Sequence, residues 1–133
     1  MAKMRDDKLW IWFSRYIRLR DSNEDGYANC FTCGRLMFWN KFDCGHGLGR
    51  QHLGIKYHEK NNHAQCGNCN LDGGRQDNYK EEVNRRYGYQ TWDLLILQMR
   101  RPCKWSGFEI EALTEHYKKE VHSLLKQKNL SLK

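Results

Sequence analysis

One proline, no low-complexity run and no internal repeat in 133 residues leave little sequence for long disordered tails or a stacked-repeat fold. Long apolar stretches are missing as well. The longest, Leu94-Leu95-Ile96-Leu97, is far too short to span a bilayer, and Met1-Ala2-Lys3-Met4-Arg5-Asp6-Asp7 has no apolar signal core. The expectation is therefore a cytoplasmic protein without a membrane partner. In that compartment thiols stay reduced, so the six cysteines are read as metal or redox chemistry before structural disulfides. At 16.0 kDa, with 29% charged and 39% hydrophobic residues, the chain is expected to form a single domain, residues 1–133, whose core is modest enough for a metal staple to help it fold.

The net charge of +7 is unevenly distributed. Residues 1–20 hold six Lys/Arg against two acids, residues 21–99 nine against ten, and residues 100–133 eight against four. The arms are basic and the middle is not. Four thiolates around zinc would make the middle more negative still, so attraction to a polyanion must come from the flanks. Solvated helical faces are the plain alternative.

Periodicity places a first, basic amphipathic helix within residues 1–22, starting from Asp6 or Asp7 as N-cap. Leu9, Trp12, Phe13, Tyr16, Ile17 and Leu19 share one arc, and Lys8, Arg15 and Arg18 lie opposite. Residues 36–44 favour a strand near their end and His63–Cys66 a second, with the Gly-rich segment 45–54 between them. A helix is expected over about 76–87, stopped by Gly88, and another from a Thr91 cap to about Arg101. Ser106-Gly-Phe-Glu109 is a capping box opening a last helix to about residue 128. The stripe Ile110, Leu113, Tyr117, Val121 and Leu124 should pack on the first helix in preference to forming a dimer seam.

Cys30-Phe-Thr-Cys33 and Cys66-Gly-Asn-Cys69 are matched pairs separated by 32 residues. A thioredoxin-like site would need one such motif in a βαβ unit, whereas two pairs suit a closed, structural four-thiolate zinc centre. Cys44 and Cys103 fall outside the spacing and read as small buried residues. Inside the loop that zinc would close, His46 stands between two glycines at a strand end. That is a poor core position but suits a general base, since an imidazole titrates near neutral pH. Asn70 follows Cys69 directly, where it would be held rigidly enough to ligate Mg²⁺, an ion that needs few protein ligands. Taken singly, His46 reads as an ordinary loop histidine and Asn70 as a helix cap; with both knuckles they form a more specific pattern.

The arm Phe13–Asp21, the knuckle Cys30–Gly34, Asp43-Cys-Gly-His46 and Asn61-Asn-His-Ala-Gln-Cys-Gly-Asn-Cys-Asn70 together resemble the His-Me finger (ββα-metal, HNH-like) nucleases. Within these, the sequence is similar to the lambdoid phage NinG/Rap recombination family, over about residues 10 to 90. The order of knuckle, histidine, knuckle and asparagine is also similar to junction resolvases of the endonuclease VII type. The resemblance implies an α+β fold with a zinc-stapled ββα-metal core, residues 27–88, flanked by the first helix and by C-terminal helices over 89–133. It implies a metal-dependent endonuclease of branched DNA such as Holliday junctions, with structural Zn²⁺, catalytic Mg²⁺ for which Mn²⁺ could substitute, and action in the host cytoplasm. The general base carries over to His46, the bracing asparagine to Asn61 and the metal ligand to Asn70.

The resolvase pattern has an aspartate directly before the base; Gly45 stands there in this chain. Asp43, on the opposite face of a regular strand unless a bulge at Gly45 turns it, takes a supporting role as a second candidate Mg²⁺ ligand. The Asp-x-Gly-His spacing resembles instead the nonspecific nucleases of the superfold, in which one asparagine is the direct protein ligand. Arg50, His52 and Arg75 are candidates for DNA contact beside Lys8, Arg15 and Arg18. A homodimer would suit paired cuts. The competing readings are a zinc-stabilised DNA-binding module without catalysis, a less selective HNH-type nicking nuclease, and, last, a redox protein.

Overall fold

The computed structural model describes residues 5–132; Met1–Met4 of the N-terminal segment discussed above, and Lys133, lie outside it. Helix α1, Asp7–Arg20, buries Leu9, Phe13 and Ile17 at i, i+4 and i+8, with Leu19 beside them. Asp6 precedes the helix without capping it. Its carboxylate accepts instead from Lys56 Nζ at 2.6 Å and from the Tyr57 hydroxyl, tying the start of α1 to the end of a short helix 50 residues away.

The strand expected near the end of residues 36–44 forms, and the same segment also opens with another. Strand β1, Tyr27–Asn29, unread in the sequence, pairs antiparallel with β2, Leu36–Phe38. A 3₁₀ turn over Trp39–Lys41 follows, because Trp39, 2% exposed, must turn inward to join Leu19, Val121 and Leu125. Strand β3, Asp43–His46, then pairs antiparallel with β4, Asn62–Gln65. The pairs run Asp43 with Gln65, Cys44 with Ala64, Gly45 with His63 and His46 with Asn62, in a continuous ladder with no bulge at Gly45.

Two short helices also escaped the sequence reading, α2 at Leu53–Lys56 and α3 at Gly67–Leu71. The others fall close to expectation: α4 Gln76–Tyr87, α5 Thr91–Arg100 and α6 Gly107–Lys128. The Ser106/Glu109 capping box forms, with Glu109 N–H donating to Ser106 Oγ at 3.1 Å and Ser106 N–H to Glu109 Oε1 at 3.2 Å. Thr91 is not the cap of α5; Asn84 takes that work, accepting from Trp92 N–H at 2.9 Å.

The apolar stripe of α6 packs along α1. Phe13 meets Tyr117 edge-on at 4.9 Å and Tyr16 lies 5.1 Å from the same ring. Complete burial of each such side chain contributes about 1.5–3 kcal/mol, so this pairing outweighs any cap. A second core, formed by Phe31, Leu48, Ile55, Tyr79, Val83, Trp92 and Leu95, lies beneath the loop after β3. The fold is thus α+β, with helices around two separate two-stranded sheets. Among the described residues no helix is long and apolar enough to cross a membrane.

Candidate functional site

Two features converge on the β3–β4 hairpin: a cysteine cluster at one end and a polar cleft along the free edge of β3. Cys30 and Cys33 sit on the knuckle between β1 and β2, and Cys66 and Cys69 at the start of α3. Their sulfurs all lie within 4.8 Å of one another, and Cys33 Sγ is 3.7 Å from Cys66 Sγ. A zinc tetrahedron with bonds of about 2.3 Å has sulfur–sulfur edges of about 3.8 Å, so the four donors fit the ion. Burial opposes ionisation of Cys30, yet the backbone N–H groups of Cys66 and Cys33 bring its thiol down to about 6. Burial pushes the Cys69 thiol up to about 12, with the Cys30 thiolate adding to it, and a dication among them is what allows all four to ionise.

His46 closes β3 with its side chain half-buried. Its Nδ1 is buried without a partner, which leaves Nε2 as the ring nitrogen open to the cleft. Burial first, and the Arg50 charge second, hold its pKa below the ordinary value of 6.5, so the neutral imidazole prevails at neutral pH. Asn61, fully buried, secures the loop that follows: it accepts from Leu48 N–H at 2.8 Å and donates to Leu48 O at 3.0 Å, while Gly47 N–H donates to its carbonyl at 2.9 Å. It is a positioning group with no access to a substrate. Tyr79 of α4 sets its hydroxyl 2.9 Å from Gly45 O, just before His46, and 3.2 Å from Asn61 O, just before β4, bracing both strands beside His46.

The glycines flanking His46 do permit close approach. A Cβ at Gly47 would stand 2.7 Å from the Trp92 ring. One at Gly45 would stand 2.7 Å from Gln65 Cβ and 2.2 Å from Gln65 Oε1. This accounts for the glycine where the resolvase pattern has an aspartate: the buried Gln65 side chain occupies the space, donating to Thr32 Oγ1 at 3.0 Å and Gly74 O at 2.8 Å. Gly45→Ala should therefore lower stability by about 1–3 kcal/mol, an overpacking cost. Gly107→Ala, where nothing lies within 4 Å, is the control and should be neutral or better. Denaturant midpoints measure both, and an unchanged midpoint for Gly45→Ala would show that the hairpin has slack.

The cleft, of about 380 Å³, gathers His46, Asp43, Asn70, Arg50 and Arg18 with Trp10, Ser14, Phe42 and Cys44. Asn70 on α3 points its amide at Asp43, donating to Oδ2 at 3.1 Å. Asp43 and His46 alternate along a regular strand yet reach one cleft, because the edge of β3 away from β4 carries no further strand. Asp43 offers a carboxylate at the cleft rim and Asn70 an amide beside it, a pair that suits Mg²⁺, with water filling its other positions, once the amide turns its oxygen toward the ion. Arg50 stacks over Trp10 at 4.6 Å.

The other expected contacts lie elsewhere. Arg15 sits over Trp12 at 4.8 Å. Lys8 lines a separate groove of about 970 Å³ between the first turns of α1 and α6, where cations and carboxylates mix. Exposed Arg75 pairs with Asp72 at 3.2 Å, and His52 precedes α2 outside the cleft. Arg18 departs from the outward basic face and enters the cleft. Cys44 is buried, with its thiol pushed up to about 12, whereas Cys103 is only half-buried.

Sequence reasoning missed the row Trp10, Ser14 and Arg18, whose spacing of four was the available signal. It also missed the buried cluster that joins α1 to β4. There Arg20 pairs with Asp21 at 2.9 Å, Asp21 Oδ2 accepts from Ala64 N–H at 2.8 Å, and His63 lies 3.3 Å from the same oxygen. Burial works against the Asp21 charge, but His63 and Arg20 hold its carboxyl at about 2.

These features define a small α+β protein in which a four-cysteine centre able to hold zinc adjoins a cleft containing a histidine. The sequence model described as Bacteriophage Lambda NinG protein matches residues 4–128, and the chain belongs to that family. The match reaches past the residues 10 to 90 of the resemblance and takes in α5 and α6. No curated protein and no solved structure matches the chain.

Proposed function

We propose that the protein is a Mg²⁺-dependent, structure-selective DNA endonuclease acting on branched recombination intermediates such as Holliday junctions. The observation that carries this reading is one cleft in which His46, with an open Nε2 and a lowered pKa, meets Asp43, Asn70 and two arginines. The order β3, β4, α3, with His46 ending the first strand and Asn70 on the helix, supports a ββα-metal core. Family membership supports the recombination setting.

In this reading His46 Nε2 takes a proton from a water, whose oxygen forms the new bond to phosphorus. The bond from phosphorus to the leaving nucleoside oxygen breaks, and that oxygen takes a proton from solvent. Asp43 and Asn70 would hold Mg²⁺, which supplies charge neutralisation for the phosphate and the leaving oxygen. Asn61 keeps the loop after His46 in register, and burial, aided by the Arg50 charge, keeps the imidazole neutral. The zinc centre fixes α3, and with it Asn70. The basic flanks supply affinity for diverging duplex arms, and paired cuts on a junction call for two such clefts in a homodimer.

Matched linear, flap and four-way DNA, incubated with Mg²⁺ or with chelator, test the proposal. Cleavage should need the metal and be fastest on the four-way substrate. Binding without cleavage would leave a zinc-stabilised DNA-binding module. Equal nicking of all three would leave an HNH-type nickase without structural preference.

A further inference from the structure

We infer that Arg18 is a catalytic residue that grips the scissile phosphate inside the His46 cleft, and is not part of the basic arm on which its sequence position suggests it acts. The inference rests on the nuclease reading and names a further group in the same site.

Three observations converge on Arg18. The first is its direction: Trp10, Ser14 and Arg18 recur every fourth residue on α1 and all line the cleft, so this helix face forms one wall of the site. Arg15, three residues earlier, turns instead to Trp12.

The second is its anchoring. Nε donates to Ser14 O at 3.1 Å, Nη1 donates to Phe42 O at 3.4 Å, and the guanidinium lies 5.5 Å from the Trp39 ring. Those contacts leave Nη2 free of protein partners among the described residues, with the plane of the group already set. A preorganised fork loses little freedom on meeting a phosphate.

The third is the missing counter-ion. Arg20 pairs with Asp21, Arg75 with Asp72, and Arg85 and Arg86 with Glu82. Arg18 is half-buried and has no carboxylate within ion-pair distance among the described residues. Asp43 shares the cleft without forming an ion pair with Arg18, and withdrawing a cation from water without a direct partner is costly, so a site that keeps one is built for an anion that arrives later. The anion this cleft would receive is a phosphodiester, which gains charge on its non-bridging oxygens as water attacks. A fixed guanidinium is worth most at that moment. It makes and breaks no covalent bond.

The test compares Arg18→Ala, Arg18→Lys and, as an exposed arginine outside the cleft, Arg35→Ala, by single-turnover cleavage of a four-way junction in Mg²⁺ and by binding of the same DNA in chelator. Arg18→Ala should lose about 100- to 1,000-fold in rate, as removal of one preorganised donor does. Its affinity should fall by less than about tenfold, roughly one phosphate contact. Arg35→Ala, which removes the same charge from an exposed position, should cleave within about threefold of wild type, as a surface change does. Placing a neutral methylphosphonate at the mapped cleavage site should slow the wild type strongly and Arg18→Ala far less, because the charge that Arg18 meets is already gone.

Wild-type rates for Arg18→Ala, or an undiminished methylphosphonate penalty in it, would overturn the inference while leaving the nuclease reading in place. If Arg18→Ala does not fold, Arg18→Lys decides: it keeps the charge but not the fork, so a loss of tenfold or more supports the role and wild-type cleavage overturns it. A wild-type protein that cuts nothing in Mg²⁺ would sink the nuclease reading, and this inference with it.

Discussion

Replacing His46 with alanine should lower the cleavage rate by about 10²- to 10⁴-fold, the usual contribution of a positioned base, while folding and DNA binding persist. The side chain supports little else: it is half-buried, its Nδ1 has no partner, and the backbone around it is held by Tyr79 and Asn61. Truncation therefore removes a proton acceptor without opening the core. The pH profile gives a second readout. Burial and the Arg50 charge both lower the His46 pKa, and the neutral form is the active one. Rate should rise with pH with its midpoint below that of an unperturbed histidine, about 6.5, and then level off. Arg50→Ala removes one of the two causes and should move the rise to higher pH. A wild-type rate that is flat across the acidic range, or full activity in His46→Ala, would place the base elsewhere, with His52 the next candidate.

Cys66→Ser should cost the protein its zinc and much of its helical circular dichroism. Structural zinc contributes apparent binding energies of about 10–16 kcal/mol, as large as the entire stability of a small domain, about 5–15 kcal/mol. The centre joins two pieces whose other contacts are few beside it: the Phe31 ring stacked on His63 at 3.9 Å, Gln65 donating to Thr32 Oγ1 at 3.0 Å, and a small buried cluster of Ala28 with Ala64. One is the β1–β2 hairpin with Cys30 and Cys33; the other is the β4–α3 junction with Cys66 and Cys69. Without the ion the connections include Phe31 N–H to Ala64 O at 2.9 Å and Cys66 N–H to Cys30 Sγ at 3.3 Å. Hydrogen exchange in the variant should show the hairpin losing protection first, with α1 and α6 holding longest on their shared aromatic contacts. Elemental analysis of wild type should find one zinc per chain; a well-folded preparation without metal would end this account.

The elements legible in the sequence are those whose signals are local and redundant. The end of α4 is marked by Gly88 and the start of α6 by a capping box, and both fall where the residues put them. The four cysteines were legible as one cluster because ligand spacing is itself a geometric statement. Weaker signals misled. Asp6 and Thr91 have cap chemistry, but Asp6 is drawn to Lys56 and Tyr57, and Asn84 reaches the start of α5 from a neighbouring helix. Within residues 36–44 the strand near the end forms as expected, but the start carries a further strand that was not marked, and the chain turns at Trp39 because its ring belongs to the α1–α6 core.

For the site the division follows the same physics. The sequence by itself determined which chemical groups are present: four thiols at metal spacing, a histidine between glycines, an asparagine after the last knuckle, and basic flanks. Only the tertiary structure decided which of them share a cleft. That outcome depends on α1 being pinned on one side by α6 and on the other by the Arg20–Asp21–His63 cluster, contacts between residues about 40 to 100 positions apart. Those contacts set the rotation of α1, which turns Arg18 toward His46 and Arg15 away from it. Helix periodicity assigns residues to faces, but which face meets which neighbour is decided by the packing of the whole core.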